Sequence, residues 1–249
     1  MQEMRVITFY EDLTEILGQD PFFTLLEWAG TFAGAISGVR LASVKRFDWF
    51  GAFVIGCVTA LGGGTLRDIM LNIEPFWMAN SSYIVVTLVA LVCISVFGRR
   101  FIDGQITWYI WDTLSISFFM VIGLEKTLRT SHSWWCALIM GVITAVFGGV
   151  LRDICINAVP LIFRKEIYAL ACAAGGVIYL GLFYGLDLDS RVCATVCVVA
   201  IFVIRALSIR YHLYVPVLTG RNQFAHHSHK KPPITRRQAL SLTDNNKPQ

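Results

Sequence analysis

Long apolar stretches alternate with short polar connections along this chain, and the connections carry most of its charged residues. An α-helix needs about 20 apolar residues to cross a hydrocarbon core of about 30 Å. The apolar stretches approach that length, and glycine or proline marks several of their ends. The pattern therefore predicts an all-α membrane protein with seven transmembrane helices, over residues 22–42, 50–72, 81–98, 107–126, 134–156, 165–185 and 191–209.

The second and fifth predicted spans carry the same motif, displaced by 85 positions without insertion or deletion. Residues 59–75 are TALGGGTLRDIMLNIEP, and residues 144–160 are TAVFGGVLRDICINAVP. Each repeat contains three spans, which is an odd number, so the second copy must cross the membrane in the opposite direction. The repeat therefore predicts a 3+3 inverted architecture plus one additional helix, a plan that many transporters share.

This architecture divides the chain into five segments. We expect an extracytoplasmic N-terminal segment over 1–20, three-helix repeats over 21–106 and 107–186, the seventh helix over 187–209, and a basic tail over 210–249. The tail is rich in Lys, Arg, His, Asn and Pro, a composition typical of disorder. Three tail histidines are candidate metal ligands, although a solvated tail is the favoured interpretation: His226, His227 and His229.

Composition supports a membrane protein and argues against an enzyme. Charged residues make up 15% of the chain, against about 25% in soluble domains. The seven cysteines include no CxxC pair, so we expect buried thiols and not a disulfide framework. The predicted spans contain no metal-ligand spacing and no nucleophile–base set, so we expect a protein without enzymatic activity or cofactor.

The lysines and arginines of the connections predict the orientation in the membrane. One side carries four: Arg5, Lys126, Arg129 and Arg191. The other side carries seven before the basic tail is counted: Arg40, Lys45, Arg46, Arg99, Arg100, Arg164 and Lys165. Because cytoplasmic connections carry the excess of Lys and Arg, we expect the N-terminus outside and the C-terminus in the cytoplasm.

The glycine run Gly62–Gly64 lies roughly 18 Å into the second span, near the middle of the bilayer. Each interior glycine destabilises a helix by up to about 1 kcal/mol relative to alanine, so the run favours a broken helix. Such a break offers backbone N–H groups to an anion and carbonyl oxygens to a cation. Gly148 and Gly149 predict a second break, and the two would meet as a midplane solute site. Close packing of small residues is the alternative.

Each motif also places an Arg–Asp pair inside an apolar stretch, where charges are costly and often mark a solute path. We expect Arg67 and Asp68 toward the outer half of the membrane, and Arg152 and Asp153 toward the inner half. Adjacent helical residues point in different directions, so each is expected to pair with some other group. Two interpretations stay open: the pairs contact the solute directly, or they lock backbone groups in place.

Acidic residues begin both repeats at the same offset, Glu27 in the first and Asp112 in the second. They are either solute-binding carboxylates or charges at interfacial helix starts. The two motifs are also unequal, because Phe147 stands where the first copy has Gly62. This difference predicts that the first break makes more of the solute contact and the second more of the gate.

The doubled motif, together with RKEIYAL at 164–170, resembles the bacterial glycine-transporter family over about residues 25–208. That family is similar to the trimeric intracellular cation channels, homotrimers with a 3+3+1 span plan, glycine-kinked second and fifth spans and a pore in each subunit. The sequence differs from the family pattern at Glu27, where Asp is frequent, and at Ser115, where Gly is frequent. The resemblance implies a seven-span inner-membrane protein and a homo-oligomer, with a homotrimer as its expected form.

The resemblance also implies a function: transport of glycine or a similar small amino acid through the midplane site. The alternative is a K⁺ channel like the more distant relatives. The implied partners are the solute and the lipid bilayer, and not nucleic acid. The candidate solute-binding residues are the motif glycines with Phe147, the Arg–Asp pairs and the acids at the repeat starts: Gly62, Gly63, Gly64, Arg67, Asp68, Phe147, Gly148, Gly149, Arg152, Asp153, Asp112 and Glu27.

Overall fold

Seven long helices lie at the predicted apolar intervals of the computed structural model, which describes residues 20–102, 105–164, 167–211 and 213. The predictions for segment 1–19, for the tail beyond 213 and for its three histidines lie outside these residues. A short helix, Phe76–Ala79, follows the second long helix, and a 3-10 turn, Leu161–Phe163, follows the fifth. The long helices are α1 (Pro21–Val44), α2 (Trp49–Met70), α3 (Ser82–Ile102), α4 (Gln105–Arg129), α5 (Trp134–Cys155), α6 (Ala169–Gly185) and α7 (Ser190–Arg210).

Four of these helices are long and apolar enough to cross a membrane by length and composition: α1, α2, α5 and α7. The apolar parts of α3 (Ser82–Phe97) and α6 are shorter. Helix α4 is 25 residues long but is not among these spans, and it carries Asp112, Glu125 and Lys126. The fold buries Asp112 and Glu125 between helices, which is how intramembrane charges are normally accommodated. The described residues therefore form an all-helical, membrane-embedded protein.

The same helix contacts occur in both copies of the repeat. Helix α1 packs on α2 and α3, and α4 correspondingly packs on α5 and α6. Contacts of α1 with α4 and of α2 with α5 join the copies, and α7 packs on α4 and α6. Each copy also has its own apolar core, one around Ile36 and Val39 and the other around Met120 and Leu124.

The repeated asparagine of the motif ends its helix. Asn72 and Asn157 have φ of 55° and 53°, a left-handed conformation that Asn tolerates better than most residues. After α2, the Asn72 N–H donates to the Ile69 carbonyl and the next N–H donates to the Asp68 carbonyl. The same pair of bonds follows α5 at Asn157. Both motifs therefore close with a Schellman cap, which turns the chain toward Pro75 or Pro160.

The predicted breaks at the glycine runs are wrong. Helix α2 is continuous from Trp49 to Met70, and α5 is continuous from Trp134 to Cys155. No half-helix therefore begins after Gly64, and no backbone groups are freed at that depth. The glycines instead allow a close helix–helix contact, so the alternative of small-residue packing is the correct one for the backbone.

Candidate functional site

Helices α2 and α5 cross at Gly63 and Gly148. A Cβ placed on Gly63 would lie closer than 3.0 Å to the Thr144 carbonyl oxygen, and one on Gly148 equally close to the Thr59 carbonyl oxygen. Position 59 thus faces 148 and position 63 faces 144, so the two helices run in opposite directions. Arg67 and Arg152 each lie one turn beyond the crossing along their own helix, and hence on opposite sides of it.

The first charge cluster surrounds Arg67, whose side chain is completely buried. Its Nε donates to Asp68 Oδ1 at 2.8 Å, and its Nη2 lies 3.6 Å from Glu27 Oε1. Lys126 Nζ lies 3.2 Å from Asp68 Oδ1, and the Tyr83 hydroxyl donates to Glu27 Oε2 at 2.6 Å. We call these five residues cluster 1; it contains two carboxylates and two cationic side chains.

The second charge cluster surrounds Arg152, which is also completely buried. Its Nε donates to Asp153 Oδ1 at 2.9 Å, and its Nη1 donates to Asp112 Oδ1 and to the Ser37 hydroxyl, both at 2.7 Å. Arg205 Nη2 lies 4.0 Å from Asp112 Oδ2. We call these residues, together with Tyr168 beside them, cluster 2. It too contains two carboxylates and two guanidinium groups.

Each motif arginine binds the aspartate that follows it, contrary to the expectation that adjacent residues pair elsewhere. In both copies it is the arginine Nε that donates to the neighbouring carboxylate. The second oxygen of each aspartate accepts a backbone N–H, from Phe76 to Asp68 at 2.9 Å and from Leu161 to Asp153 at 3.1 Å. The aspartates therefore lock the segment after each helix.

Glu27 and Asp112 are not helix-start charges at an interface. Glu27 is 2% exposed and Asp112 is 3% exposed, and each faces the arginine of its own copy. Burial of a charge without a partner costs several kcal/mol, so these carboxylates and arginines depend on one another. Each cluster therefore joins the start of one helix to the end of another in the same copy.

The remaining predicted residues lie around the crossing but outside the ion pairs. Gly62 and Phe147 border an open apolar groove, which Leu151 and Trp77 also line. Gly64 faces the Phe76 ring, because a Cβ there would lie 2.5 Å from a ring carbon.

The repeated motif does not point to Ser37, Lys126 or Arg205, although Arg205 is a charged residue inside an apolar stretch and could have been identified on that ground. Nor does the motif include Tyr83 and Tyr168, which align at the repeat offset. Within 20–102, 105–164, 167–211 and 213, no group of three or more His, Cys, Asp or Glu could hold a metal ion.

Comparison with known families agrees with this two-copy arrangement. The family model for glycine transporters matches the chain twice, over residues 24–99 and 109–184, which reproduces the 85-residue offset. The inner membrane protein YadS of Escherichia coli is 36% identical over 195 residues, covering 77% of this chain and 93% of YadS. A membrane protein of Vibrio cholerae is 35% identical, with 77% and 81% of the two chains covered.

Solved structures with a similar fold are cation channels. A TRIC cation channel superposes with a TM-score of 0.72 at 30% identity, covering 80% of this chain and 98% of that chain. The trimeric intracellular cation channel orthologue from Rhodobacter sphaeroides gives 0.71 at 32% identity, with 77% and 98% covered. Both comparisons point to a transporter or channel of the membrane. Since the family model matches both copies of the repeat, this chain belongs to the glycine transporter family.

Proposed function

We propose that this protein carries glycine, or a similarly small amino acid, across the membrane by way of the two charge clusters. The observation that carries the proposal is the pair of buried, charge-balanced clusters on opposite sides of the α2–α5 crossing. The description of the matching family supports the choice of solute. The proposed site needs no broken helices. We place the α2–α5 crossing at the midplane of the membrane, with the polar side chains one turn away on each side.

Charge balance favours a zwitterion over an ion. Cluster 1 sets Glu27 and Asp68 against Arg67 and Lys126. Cluster 2 is balanced in the same way, with two carboxylates and two guanidinium groups. An added monovalent cation would leave either cluster with an uncompensated charge at low dielectric, which is costly. Glycine is neutral overall and offers both a carboxylate and an ammonium group to such clusters.

The crossing supplies a barrier between the two clusters. At Gly63 and Gly148 the backbones of α2 and α5 are so close that neither position has room for a methyl group. A solute therefore moves from one cluster to the other only when the helices shift against each other. Relative movement of two inverted repeats around a central site is the usual basis of alternating access.

A monovalent cation channel is the second candidate. It is favoured by the similarity to the TRIC cation channels, at 30% and 32% identity over most of both chains. In that case the same crossing would form a constriction, and the carboxylates of the two clusters would attract the ion.

Flux through reconstituted vesicles separates the two candidates. A carrier gives saturable uptake of labelled glycine in proteoliposomes, counterflow with internal glycine, and competition by other small zwitterions. A channel gives unitary K⁺ currents in planar bilayers that glycine does not change. Unitary K⁺ currents in the absence of any glycine counterflow would overturn the carrier in favour of the channel.

The same proposal includes the organisation of the chain in the membrane. We place seven spans in the bacterial inner membrane, with the N-terminus outside, the two repeats over 21–106 and 107–186, the seventh span over 187–209 and the basic tail in the cytoplasm. The naming of YadS as an inner membrane protein supports the location. The similarity to the trimeric intracellular cation channel orthologue from Rhodobacter sphaeroides supports a homotrimer. Native mass spectrometry of the protein released from detergent tests that stoichiometry.

A further inference from the structure

We propose that cluster 2 is the binding site for the solute, in which Arg152 and Tyr168 hold a carboxylate and Asp112 holds the adjoining ammonium group. For the identity of the ligand, a small zwitterion, the inference rests on the proposed function. The location of the site comes from the geometry of cluster 2 alone. It also reverses the sequence-based expectation that the first copy makes more of the solute contact.

Three buried polar atoms of cluster 2 make no hydrogen bond with the part of the chain that the structure describes. They are Arg152 Nη2, the Tyr168 hydroxyl and Asp112 Oδ2, and their residues are 0%, 2% and 3% exposed. An unsatisfied buried polar group costs about 1–3 kcal/mol, and more when it is charged. Native proteins satisfy nearly all such groups with protein, water or ligand. Three of them on adjoining side chains therefore indicate a bound polar molecule.

Two of these atoms lie beside Gly149, which has no side chain to cover them. A Cβ on Gly149 would lie 3.0 Å from the Tyr168 hydroxyl and 3.6 Å from Arg152 Nη2, so both groups face the same point. Asp112 adjoins them, since its Oδ1 accepts from Arg152 Nη1 at 2.7 Å. The 4.0 Å between its Oδ2 and Arg205 Nη2 exceeds hydrogen-bond range.

The two copies differ in the partner of the aligned tyrosine, although Arg67 Nη1 and Nη2 of cluster 1 also make no hydrogen bond among the described residues. In cluster 1 the longer Glu27 side chain reaches the Tyr83 hydroxyl at 2.6 Å. Asp112, at the aligned position, is one methylene shorter, and the Tyr168 hydroxyl accordingly has no such partner among the described residues.

The residue after each motif is also smaller in the second copy. The Phe76 ring occupies the point beside Gly64, whereas Leu161 stands at the aligned position in the second copy. Two reductions in side-chain size, Glu to Asp and Phe to Leu, thus coincide around Arg152.

The donors and the acceptor suit a zwitterion better than a metal cation. Arg152 Nη2 and the Tyr168 hydroxyl are hydrogen-bond donors, and guanidinium groups match carboxylates in geometry and charge. Asp112 Oδ2 is an acceptor that suits an ammonium group. A bare monovalent cation would find only the oxygens of Asp112 and Tyr168 here, next to the positive charge of Arg152.

Equilibrium binding of labelled glycine to the full-length protein in lipid nanodiscs tests the site. Tyr168→Phe removes only the hydroxyl and should weaken binding about tenfold, the effect of one hydrogen bond to a charged group. Gly149→Ala places a methyl group 3.0 Å from the Tyr168 hydroxyl and 3.6 Å from Arg152 Nη2, and should weaken binding at least as much. The matched controls are Tyr179→Phe, whose hydroxyl bonds Glu125 outside both clusters, and Gly181→Ala, which has nothing within 4 Å of an added Cβ. Both controls should bind glycine within about twofold of the original protein.

Competition between labelled glycine and other compounds shows which chemical groups of the ligand the site recognises. Acetate lacks the ammonium group and glycine methyl ester lacks the carboxylate charge, so each should displace labelled glycine far less well than glycine, and K⁺ should not displace it.

Wild-type affinity in both Tyr168→Phe and Gly149→Ala would overturn the site, even if glycine flux persists. Absence of glycine binding to the original protein, or its displacement by K⁺, would overturn the zwitterion. Conversely, Tyr168-dependent binding without flux would retain the site and refute the proposed transport.

Discussion

The Asp68 carboxylate of cluster 1 is completely buried and is contacted by three donors. Its two oxygens contact Arg67 Nε at 2.8 Å, the Phe76 N–H at 2.9 Å and Lys126 Nζ at 3.2 Å. A completely buried carboxylate is stable only because these three donors replace its hydration. The same residue thereby neutralises an arginine and fixes the turn after α2.

Asp68→Asn should destabilise the protein by about 3–5 kcal/mol, the usual effect of removing one partner from a buried ion pair. The amide cannot compensate the charges of Arg67 and Lys126. Thermal unfolding of the purified protein in detergent measures the change. The matched control is Asp48→Asn, because Asp48 is an exposed N-cap that accepts the Gly51 N–H, and Asn caps equally well. Equal melting temperatures for the two variants would show that the charge of Asp68 does not stabilise the fold.

The two aligned tyrosines should respond differently to loss of the hydroxyl. Tyr83→Phe deprives the buried Glu27 carboxylate of a donor at 2.6 Å, and should lower the free energy of unfolding by about 1–3 kcal/mol. Tyr168→Phe removes a hydroxyl that has no hydrogen-bond partner among the described residues, so we expect little change in ligand-free protein. Thermal unfolding without glycine compares them. A larger loss for Tyr168→Phe than for Tyr83→Phe would contradict the difference between the clusters.

At the scale of elements, α2 and α5 are two uninterrupted helices held at unusually short range. Gly63 and Gly148 lie at the contact, with the carbonyl oxygens of Thr144 and Thr59 opposite them. The threonine hydroxyls donate to carbonyls four residues earlier on their own helices, Thr59 to Ile55 and Thr144 to Met140. The crossing is therefore lined by backbone atoms and by threonine hydroxyls that already donate hydrogen bonds. The charged side chains, Arg67 and Arg152, lie one turn away along each helix.

Gly63→Ala should separate the two helices, because its methyl group would overlap a backbone carbonyl that no side-chain rotation can move aside. Overpacking of this kind costs about 1–3 kcal/mol, so we expect a lower melting temperature and impaired glycine uptake. Gly181→Ala in α6 is the matched control. An added Cβ there meets nothing within 4 Å, and alanine favours a helix by up to about 1 kcal/mol. A Gly63→Ala variant as stable as the control would refute close contact at the crossing.

The helix positions could be predicted from sequence, but the role of the glycines could not. Apolar length locates α1 to α7 within a few residues, since burial in lipid and helix length are linked directly. A glycine run, by contrast, is compatible with a break or with a close contact. Which occurs depends on the partner helix, and the Thr144 carbonyl opposite Gly63 belongs to a residue 81 positions away.

The acids and arginines of the proposed site could also be named in advance, because a charged side chain in an apolar stretch is costly and usually has a functional or structural role. Their partners could not. The pairing of Arg205 with Asp112 depends on how α7 packs against α4, which no local pattern specifies. The Tyr83 hydroxyl bonds Glu27, whereas the Tyr168 hydroxyl has no partner among the described residues, and the aligned acids Glu27 and Asp112 differ by one methylene group.

At the scale of the whole molecule, the two copies of the motif lie on helices that cross in opposite directions. The antiparallel crossing of α2 and α5 carries cluster 1 to one side and cluster 2 to the other. Symmetry of this kind would make the two sides equivalent, but Asp112 and Leu161 of the second copy are smaller than Glu27 and Phe76, which they match in the first. In the carrier that we propose, cluster 2 would therefore bind the solute and cluster 1 would be structural.

If the two copies have opposite orientations, the matching turns of the two copies should lie on opposite sides of the membrane. The turn between α1 and α2 contains Lys45, and the aligned turn between α4 and α5 contains His132; both residues are exposed. We expect the basic Lys45 turn to face the cytoplasm and the His132 turn to face the outside. A membrane-impermeant maleimide should therefore label His132→Cys in intact spheroplasts, and Lys45→Cys only after permeabilisation. The unmodified protein, with its exposed Cys155, gives the background labelling. Labelling of both positions from the same side would refute the inverted repeat, and the reversed pattern would refute only the orientation.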